Sequence, residues 1–347
     1  MITLTSSLSG KYFSCSIPDV VFSIAGYRAV VKMTVDGEEI YSEELYPVDG
    51  SISLLELSDL LAPYARGSLT VSLVIEITEE FTDVQTTNTA SMSADVIYCE
   101  ADIGTSAEDF IVQHYLSILI GKRITAMGRL EYLHYIGTEL ATAKAVYNDG
   151  STADYSLTAV GGNAKYTTID TSSEQFVKPG LTLVAYTVTA GSRVQEYEMD
   201  LEAPDCAPIL IFVNSFGVEE LCYCTGKHVV APSYKRDTAF IMGIQKNYHI
   251  TEIRTFKADT GVLNTSMANW LDDLFRSQYV RIVNFYQGAP NVGKEVIINE
   301  SKSEYGNEDG ELPRFTFSYQ YAQRNQNVLQ LQRSGRIFDN TFDNTFN

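Results

Sequence analysis

Apolar and polar residues alternate with a period of two over much of the first hundred positions. The stretch LTVSLVIEI has an apolar residue at every second position, which is typical of a strand with one buried face. A second alternating stretch ends at Asp36-Gly37, a dipeptide that favours a two-residue hairpin turn. The residues predicted to face the core are Leu69, Val71, Leu73, Ile75, Ile77, Ala29, Val31, Met33 and Val35. With one short helical turn predicted in ELSDLLAPY before Pro63, residues 1–100 are expected to form a β-sandwich-like domain.

The next hundred residues repeat this pattern of strands and turns. Ser106 and Asp109 in GTSAED have the spacing of a cap at the start of a short helix or turn. Asp149-Gly150 predicts a hairpin turn within KAVYNDGSTADYSLTAV. In VQEYEMDL the apolar positions Tyr197, Met199 and Leu201 alternate with three acidic residues, which predicts another half-buried strand. We therefore expect a second β-sandwich-like domain over 101–205, with its boundary at the proline-bearing EAPDCAP.

The third segment, 206–332, contains the clearest helical signal in the chain. In SMANWLDDLFRS the apolar residues recur at helical spacing, so a helix is predicted at about 266–277 with Ser266 as its N-cap. The apolar side would pack across the open face of a sheet, and Asp272 and Asp273 would face solvent. The apolar residues of this helix are Met267, Trp270, Leu271, Leu274 and Phe275. The segment is expected to form a third β-rich domain with one helix.

A row of aromatic residues near the end of this segment allows two interpretations. Phe315, Phe317, Tyr319 and Tyr321 alternate with polar residues in RFTFSYQY. An exposed row of rings would stack against sugars, whereas a period-two pattern normally reports burial. We favour the interpretation that these four rings belong to the core.

The chain ends on RIFDNTFDNTFN, in which Phe338, Phe342 and Phe346 recur at every fourth position. Asn, Asp and Thr are poor helix formers, so an extended strand with the three rings on one face is favoured. From Arg333 such a tail would reach about 50 Å at ~3.3 Å per residue. We predict that residues 333–347 are an extended docking tail, with the three Phe side chains as its contacts. A tail that folds back onto its own domain is the alternative.

Composition narrows the classes of partner. The 347 residues include 25 basic and 44 acidic side chains, which gives a formal charge of −19. This charge argues against binding to nucleic acid or to anionic membranes, since both require clustered Lys and Arg. No secretory leader or membrane-spanning segment is predicted, and no membrane insertion is expected. The odd number of cysteines, five, favours reduced thiols over a disulfide framework.

A search for catalytic chemistry finds little. No phosphate-binding glycine loop, nucleophile elbow or HExxH motif is present in the sequence. Cys222, Cys224 and His228 in CYCTGKH are too few for a zinc site, and two core-facing thiols are the simpler interpretation. NEDGE lacks the spacing of a calcium loop and is read as a turn. We therefore expect no enzyme activity, no metal and no cofactor, although an acid–base pair of carboxylates could be set by the fold alone.

Several stretches resemble a family of uncharacterised proteins encoded near virion-structure genes in Bacteroidales phages and prophages. The resemblance rests mainly on FVNSFGVEELCYCTG, ITEIRTFKADTGVL, WLDDLFRSQYV and EVIINESKSEYGNEDGELPRFTFSYQYA in the third segment. The stretch VVKMTVDGEEIYSEELYPVDGSISLLELSDLL in the first segment and IFDNTFDNTFN at the end are also similar. It implies a tail-associated or other virion structural protein built from β domains. It also implies several copies per particle, contacts with other virion proteins, and a virion location after synthesis in the host cytoplasm.

The sequence as a whole predicts a mainly β protein of tandem β-sandwich-like domains with one short helix and an extended tail. Our first hypothesis is a structural protein of a phage particle or phage-like tail that forms homo-oligomers. A cell-surface glycan-binding protein or adhesin, with a glycan receptor as partner, is the alternative. A polysaccharide-degrading enzyme is a third hypothesis.

Replacing Phe338, Phe342 and Phe346 together with Ser should weaken assembly while each domain stays folded, because only contact side chains are removed. Native mass of the variant, compared with wild type and with a chain ending at Gln332, checks this. The docking hypothesis is wrong for the tail if all three proteins form the same multimers.

Overall fold

The computed structural model describes residues 1–82, 87–163, 165–286, 289–302 and 312–322. These residues are mainly in β-strands, with three α-helices among them. The mainly β fold predicted from the alternating patterns is therefore confirmed.

Residues 3–97 form two sheets that share one apolar core. The strands are β1 Thr3–Leu4, β2 Lys11–Phe13, β3 Val20–Ser23, β4 Arg28–Val35, β5 Glu38–Leu45, β6 Ser51–Leu54, β7 Thr70–Glu80 and β8 Asn88–Ile97, with helix α1 at Leu57–Ser68. Their orders are β1-β3-β6 and β2-β8-β7-β4-β5. All nine residues predicted to face the core in β4 and β7 and just before β7 are buried. Asp36 and Gly37 join β4 to β5 with φ of 49° and 87°, as a hairpin turn of that type requires.

Helix α1 is longer than predicted, because it continues through Pro63 to Ser68. Leu57, Leu61 and Ala65 are four residues apart and lie buried against the sandwich, whereas Pro63 is on the exposed side. Proline removes one backbone hydrogen bond from the helix interior. The buried apolar stripe outweighs that loss, which is why the predicted stop at Pro63 is wrong.

The second segment also pairs a five-stranded sheet with a three-stranded one. Its elements are helix α2 Ala107–Gln113, β9 Lys122–Thr125, β10 Tyr132–Tyr135, β11 Ala141–Tyr147, β12 Thr152–Leu157, β13 Ala159–Gly162, β14 Thr167–Asp170, β15 Leu183–Ala190 and β16 Arg193–Met199. The sheet orders are β12-β11-β15-β16-β9 and β10-β14-β13. Ser106 caps α2 by accepting the backbone N–H of Asp109 at 3.1 Å, and β11 and β12 form the hairpin predicted over Asp149-Gly150. Leu201 was wrongly predicted to face the core: it lies beyond the end of β16 and is exposed.

The third segment is a single seven-stranded sheet with a helix on one face. It contains β17 Ile209–Val213, β18 Glu219–Tyr223, β19 Val229–Ile241, β20 Ile244–Asp259, helix α3 Thr265–Arg276, β21 Val280–Tyr286, β22 Ala289–Lys302 and β23 Thr316–Tyr321. The strand order is β18-β17-β21-β22-β23-β20-β19. Phe315, Phe317, Tyr319 and Tyr321 are all buried in the core beneath α3, as predicted, so this row offers no platform for sugars.

Two details of the predicted helix differ in the structure. The N-cap is Asn264, whose side chain accepts the backbone N–H of Met267 at 2.8 Å, and Ser266 lies inside the first turn. Asp272 is exposed as predicted, but Asp273 is only 4% exposed because it faces the loop between β17 and β18. Helical periodicity identifies the apolar stripe, but it does not show which flanking polar residue a neighbouring loop will cover.

Each sheet takes its strands from one of the three predicted segments. The segments meet in a small aromatic cluster formed by Phe13, Phe110 and Phe216, with ring centroids 5.2–6.0 Å apart. One ring comes from each segment, so this cluster joins all three. The predicted boundaries near residues 100 and 205 stay predictions.

A buried charge network joins the two sheets of the second segment, here called the second sandwich, to the seven-stranded sheet of the third segment, here called the third sheet. Arg123 of β9 contacts the Glu131 carboxylate at 2.9 Å and the Glu220 carboxylate of β18 at 3.5 Å. All three residues are nearly inaccessible to solvent. The guanidinium also lies 4.6 Å from the ring centroid of Trp270 in α3, and the indole N–H donates to Glu220 at 2.6 Å. One cation therefore links β9 of the second sandwich and β18 of the third sheet to helix α3.

Arg123→Met should lower the free energy of unfolding by about 3–5 kcal/mol, because it leaves two buried carboxylates without their cation. Urea unfolding followed by fluorescence of Trp270, the single tryptophan of the chain, measures the effect at the network itself. The matched control is Arg281→Met, which removes the exposed ion pair with Glu219 on the same sheet. It should cost less than about 1 kcal/mol. Equal losses in the two variants would contradict the assigned role of Arg123.

Candidate functional site

Strands β19 and β20 extend beyond the sheet as a two-stranded arm, defined here as residues 231–255. Strand β20 pairs with β23 only from Phe256 to Asp259, whereas its pairing with β19 continues to the tip at Ile241 and Ile244. The 11 residue pairs between 231 and 241 would span about 35 Å at ~3.3 Å per residue. Met242 and Gly243 form the tip turn with φ of 55° and 75°. The arm is therefore a long ribbon supported by the sheet at one end.

No residue of the arm is buried, although many of its side chains are large and apolar. At the tip, Phe240 is 77% exposed and Met242 is 95% exposed. The other exposed apolar side chains of the arm are Tyr234, Ile241, Ile244, Tyr248, Ile250 and Ile253. A concentration of large exposed apolar side chains on one element is a feature of interaction sites. A two-stranded ribbon is also only marginally stable in water by itself, so a covering partner would stabilise it.

The arm differs in charge from the chain that carries it. It has four basic side chains and two acidic ones, whereas the whole chain has a formal charge of −19. Arg254 pairs with Glu252 at 2.5 Å, and the Arg236 guanidinium lies 5.4 Å from the ring centroid of Tyr234. The remaining charged residues are Lys235, Asp237 and Lys246. The arm is thus a locally basic and apolar surface on an acidic protein.

The outer edge of β19 is poorly suited to pairing with another strand. Pro232 lacks a backbone N–H, Lys235 and Arg236 place charges along the edge, and the register shifts at Asp237/Thr238. Proline, charge and bulges are the features by which edge strands avoid adding further strands. Contacts of the arm are therefore expected through its side chains.

The residues that looked most like a metal site in the sequence lie near the root of the arm, and His228 packs directly against it. Cys222 and Cys224 are buried in the core, which confirms the prediction of core-facing thiols. The His228 ring stacks parallel to Phe256 and Tyr319, and its Nε2 lies 2.9 Å from the Tyr319 hydroxyl. Burial lowers the pKa of His228 and favours the neutral ring. Across the described ranges, no three His, Cys, Asp or Glu side chains are grouped to hold a metal ion.

A cleft of about 700 Å³ lies between the first sandwich and the third sheet. Its walls come from the turn after β2, from α1, from the residues after β8, and from the C-terminal end of α3. Arg66 of α1 donates to the Tyr98 hydroxyl at 2.9 Å and to the Glu100 carboxylate at 2.5 Å. The charged residues of the walls are Asp59, Arg66, Glu100, Asp273 and Arg276. The cleft has a mixed polar and apolar lining and carries both signs of charge.

Asp273 is the most unusual group in this cleft. The Ser215 hydroxyl donates to its Oδ1, while Oδ2 has no hydrogen-bond partner among the described residues. Burial raises the pKa of this carboxyl from 3.8 to about 6. The folded protein therefore favours the protonated acid at mildly acidic pH. The sequence pattern placed Asp273 on the solvated side of α3, and only its contact with Ser215 reveals the site.

The arm was also missed by sequence reasoning. A signal for it exists in FIMGIQ, where Met242-Gly243 interrupts two stretches rich in β-branched and aromatic residues. The three Phe residues predicted to dock, Phe338, Phe342 and Phe346, lie outside the described residues, as does NEDGE. No helix in the part of the chain that the structure describes is long and apolar enough to cross a membrane.

Replacing Asp273 with Asn should flatten the pH dependence of stability between about pH 4 and pH 6. Because the folded pKa lies above 3.8, the native state binds the proton more tightly than the unfolded chain, so stability falls as pH rises through this window. At ~1.4 kcal/mol per pKa unit, the loss removed by the substitution is about 3 kcal/mol or less.

Urea unfolding midpoints of wild type and Asp273→Asn at pH 4, 5, 6 and 7 measure this difference. Asp272→Asn, on the exposed side of the same helix, is the matched control and should keep the wild-type slope. Parallel pH profiles for wild type and Asp273→Asn would show that Asp273 is not the titrating group.

Comparisons with known proteins assign no family to the chain. No protein-family model matches it, and no curated protein sequence matches it. The crystal structure of Rst D1-D2 aligns with 58% of this chain and 99% of its own length, at 8% identity and a TM-score of 0.26. The I-band fragment I67-I69 from titin aligns with 93% of this chain and 89% of its own length, at 8% identity and a TM-score of 0.19. At these scores neither likeness carries an argument about fold or function.

Proposed function

We propose that the chain is a structural protein of a phage particle or phage-like tail, and that copies of it associate through the arm formed by residues 231–255. The observation that carries association through the arm is that none of its residues is buried. The residues of the arm are exposed or half-buried, so its large apolar side chains stay accessible within its own chain. A covering surface would bury these apolar side chains and stabilise the pairing of the two strands of the arm.

The charge of the arm favours a second copy of this chain as the partner that covers it. The arm carries a net positive charge, while the chain as a whole carries −19. Attraction between the basic arm of one copy and the acidic body of another would bring the apolar tip into contact. The same chain thus supplies both complementary surfaces.

The contact is made by side chains of the tip rather than by an added strand. The edge of β19 carries Pro232, two cations and a bulge, which oppose strand addition. Phe240 and Met242 extend furthest from the sheet and are the most exposed apolar side chains of the arm. They would insert into the partner as anchors, as large apolar side chains commonly do at interfaces.

The phage context of this proposal rests on the sequence resemblance described above. On that basis the partners are further copies of the chain and other virion or tail proteins, and the place of action is the virion. The predicted docking tail with Phe338, Phe342 and Phe346 would add a second contact. Assembly through contacts of this kind requires no catalytic residue or cofactor.

Replacing Phe240 and Met242 with Ser should convert multimers of the full-length chain to monomers, because the apolar anchors of the contact are lost. Sedimentation or native mass spectrometry at micromolar concentration measures the change. The far-UV circular dichroism spectrum should stay that of wild type, since exposed substitutions rarely change the stability of the fold itself by more than ~0.5 kcal/mol.

The matched control replaces Val48 and Leu140 with Ser, because both are highly exposed apolar residues outside the arm. That variant should keep the wild-type multimers. A monomeric wild-type chain, or a tip variant with unchanged multimers, would contradict association through the arm.

A further inference from the structure

The parallel pairing of β2 with β8 brings two cysteines side by side. Phe13 lies opposite Ile97 at the end of this pairing, and Cys15 and Cys99 follow two residues later on their respective chains. Neighbouring strands are about 4.8 Å apart. A disulfide needs a Cα separation of roughly 4.4–6.8 Å. The pairing ends at Phe13 and Ile97 and Cys15 lies in the turn that follows, so the register brings the two cysteine segments together and the side-chain contacts show how close the thiols are.

The contacts of the two side chains agree with this placement. Both sulfur atoms lie against the carbonyl oxygen of Ala101, Cys15 Sγ at 3.4 Å and Cys99 Sγ at 3.3 Å. Ser14 ties the two segments together: its Oγ accepts the Cys99 N–H at 3.0 Å and donates to the Cys99 carbonyl at 3.0 Å. Both cysteines are free thiols and line the cleft between the first sandwich and the third sheet.

The two thiols differ in a way that assigns them different roles. Cys15 is exposed, and a hydrogen bond with the Cys99 thiol lowers its pKa to about 7. Cys99 is buried, and the same hydrogen bond together with burial raises its pKa. Asp102 and Asp273 are the carboxylates whose charge acts on this pair, and both oppose ionisation. At neutral pH the thiolate is therefore on the exposed cysteine.

We infer that Cys15 and Cys99 form a redox modification site, in which Cys15 is the attacking thiol and Cys99 the resolving thiol. The co-reactant is a low-molecular-weight disulfide. The Cys15 thiolate attacks one of its sulfur atoms, a mixed disulfide forms, and one small thiolate leaves. Cys99 then loses its proton and attacks the Cys15 sulfur, and the second small thiol leaves. The protein is oxidised by two electrons, and one small disulfide is reduced to two thiols.

The cross-link would act on the junction between segments. Cys99 immediately precedes Glu100, whose backbone N–H donates to the Ser215 carbonyl at 2.9 Å and whose carboxylate binds Arg66. Fixing Cys99 to the turn after β2 would hold this wall of the cleft in place. Oxidation is thus expected to stiffen the contact between the first sandwich and the third sheet, where Asp273 is also buried.

The test uses the native full-length chain, incubated with oxidised glutathione at pH 7.5 and then alkylated and digested. Peptide mass mapping should show a disulfide between Cys15 and Cys99 and no comparable product at Cys206, Cys222 or Cys224. Iodoacetamide labelling of reduced protein should modify Cys15 first, with a midpoint near pH 7 rather than near the ~8.5 of an ordinary thiol. A dominant disulfide between other cysteines, or a Cys15 labelling midpoint near 8.5, would overturn the assignment.

Two variants separate the roles of the thiols. Cys99→Ser should stop the reaction at the mixed disulfide on Cys15, which a purely structural cysteine would not do. Cys206→Ser, which changes a partly buried thiol outside the pair, should leave the product unchanged. Oxidation of Cys99→Ser without a mixed disulfide at Cys15 would contradict the order of attack. The mapping on wild-type protein decides the proposal even where the Cys99 variant folds poorly.

Discussion

The arrangement of the second and third segments depends on one buried cation. Arg123 cannot be buried unless carboxylates neutralise it, and Glu131 and Glu220 come from different segments of the chain. Because desolvating three charges is costly, the network is stable only when all three meet in good geometry. The network therefore contributes less to overall stability than to a unique arrangement. Trp270 extends this constraint to α3, since its indole both stacks on the guanidinium and donates to Glu220.

The position of α3 explains why the core of the third sheet and the cleft are linked. One side of the helix places Trp270, Leu271 and Leu274 on the aromatic residues of the sheet. The neighbouring residue Asp273 is buried against Ser215 and lines the cleft. Its Oδ2 is buried there without a hydrogen-bond partner among the described residues. The same packing buries the aromatic residues of β23, whereas the arm extends beyond the sheet where β20 stops pairing with β23.

Periodicity in the sequence was sufficient to predict most of this fold. The alternating residues of β4, β7 and β23 are buried as expected, because a strand with one covered face has no other simple pattern. The errors occur where tertiary contacts decide: α1 continues through Pro63, and Asp273 is covered by a loop from a distant strand. Arg123 and Cys15 gave no signal, since Glu220 and Cys99 lie far away in sequence and no pattern marks Glu131 as a partner of Arg123. The arm was missed because its residues lack alternation, as expected for a ribbon without a buried face.

Distance and screening together determine how an acidic chain could associate with itself. Two bodies of net charge −19 repel each other, and this repulsion would oppose any contact between their surfaces. At physiological ionic strength, however, charges interact over only about 8 Å. The arm is several times longer than this, at about 35 Å for ~3.3 Å per residue. Its tip therefore responds to the charges beside it, which are mainly basic, and is largely screened from the acidic body behind it. A long basic arm allows copies of a strongly acidic protein to meet without bringing most of their charge together.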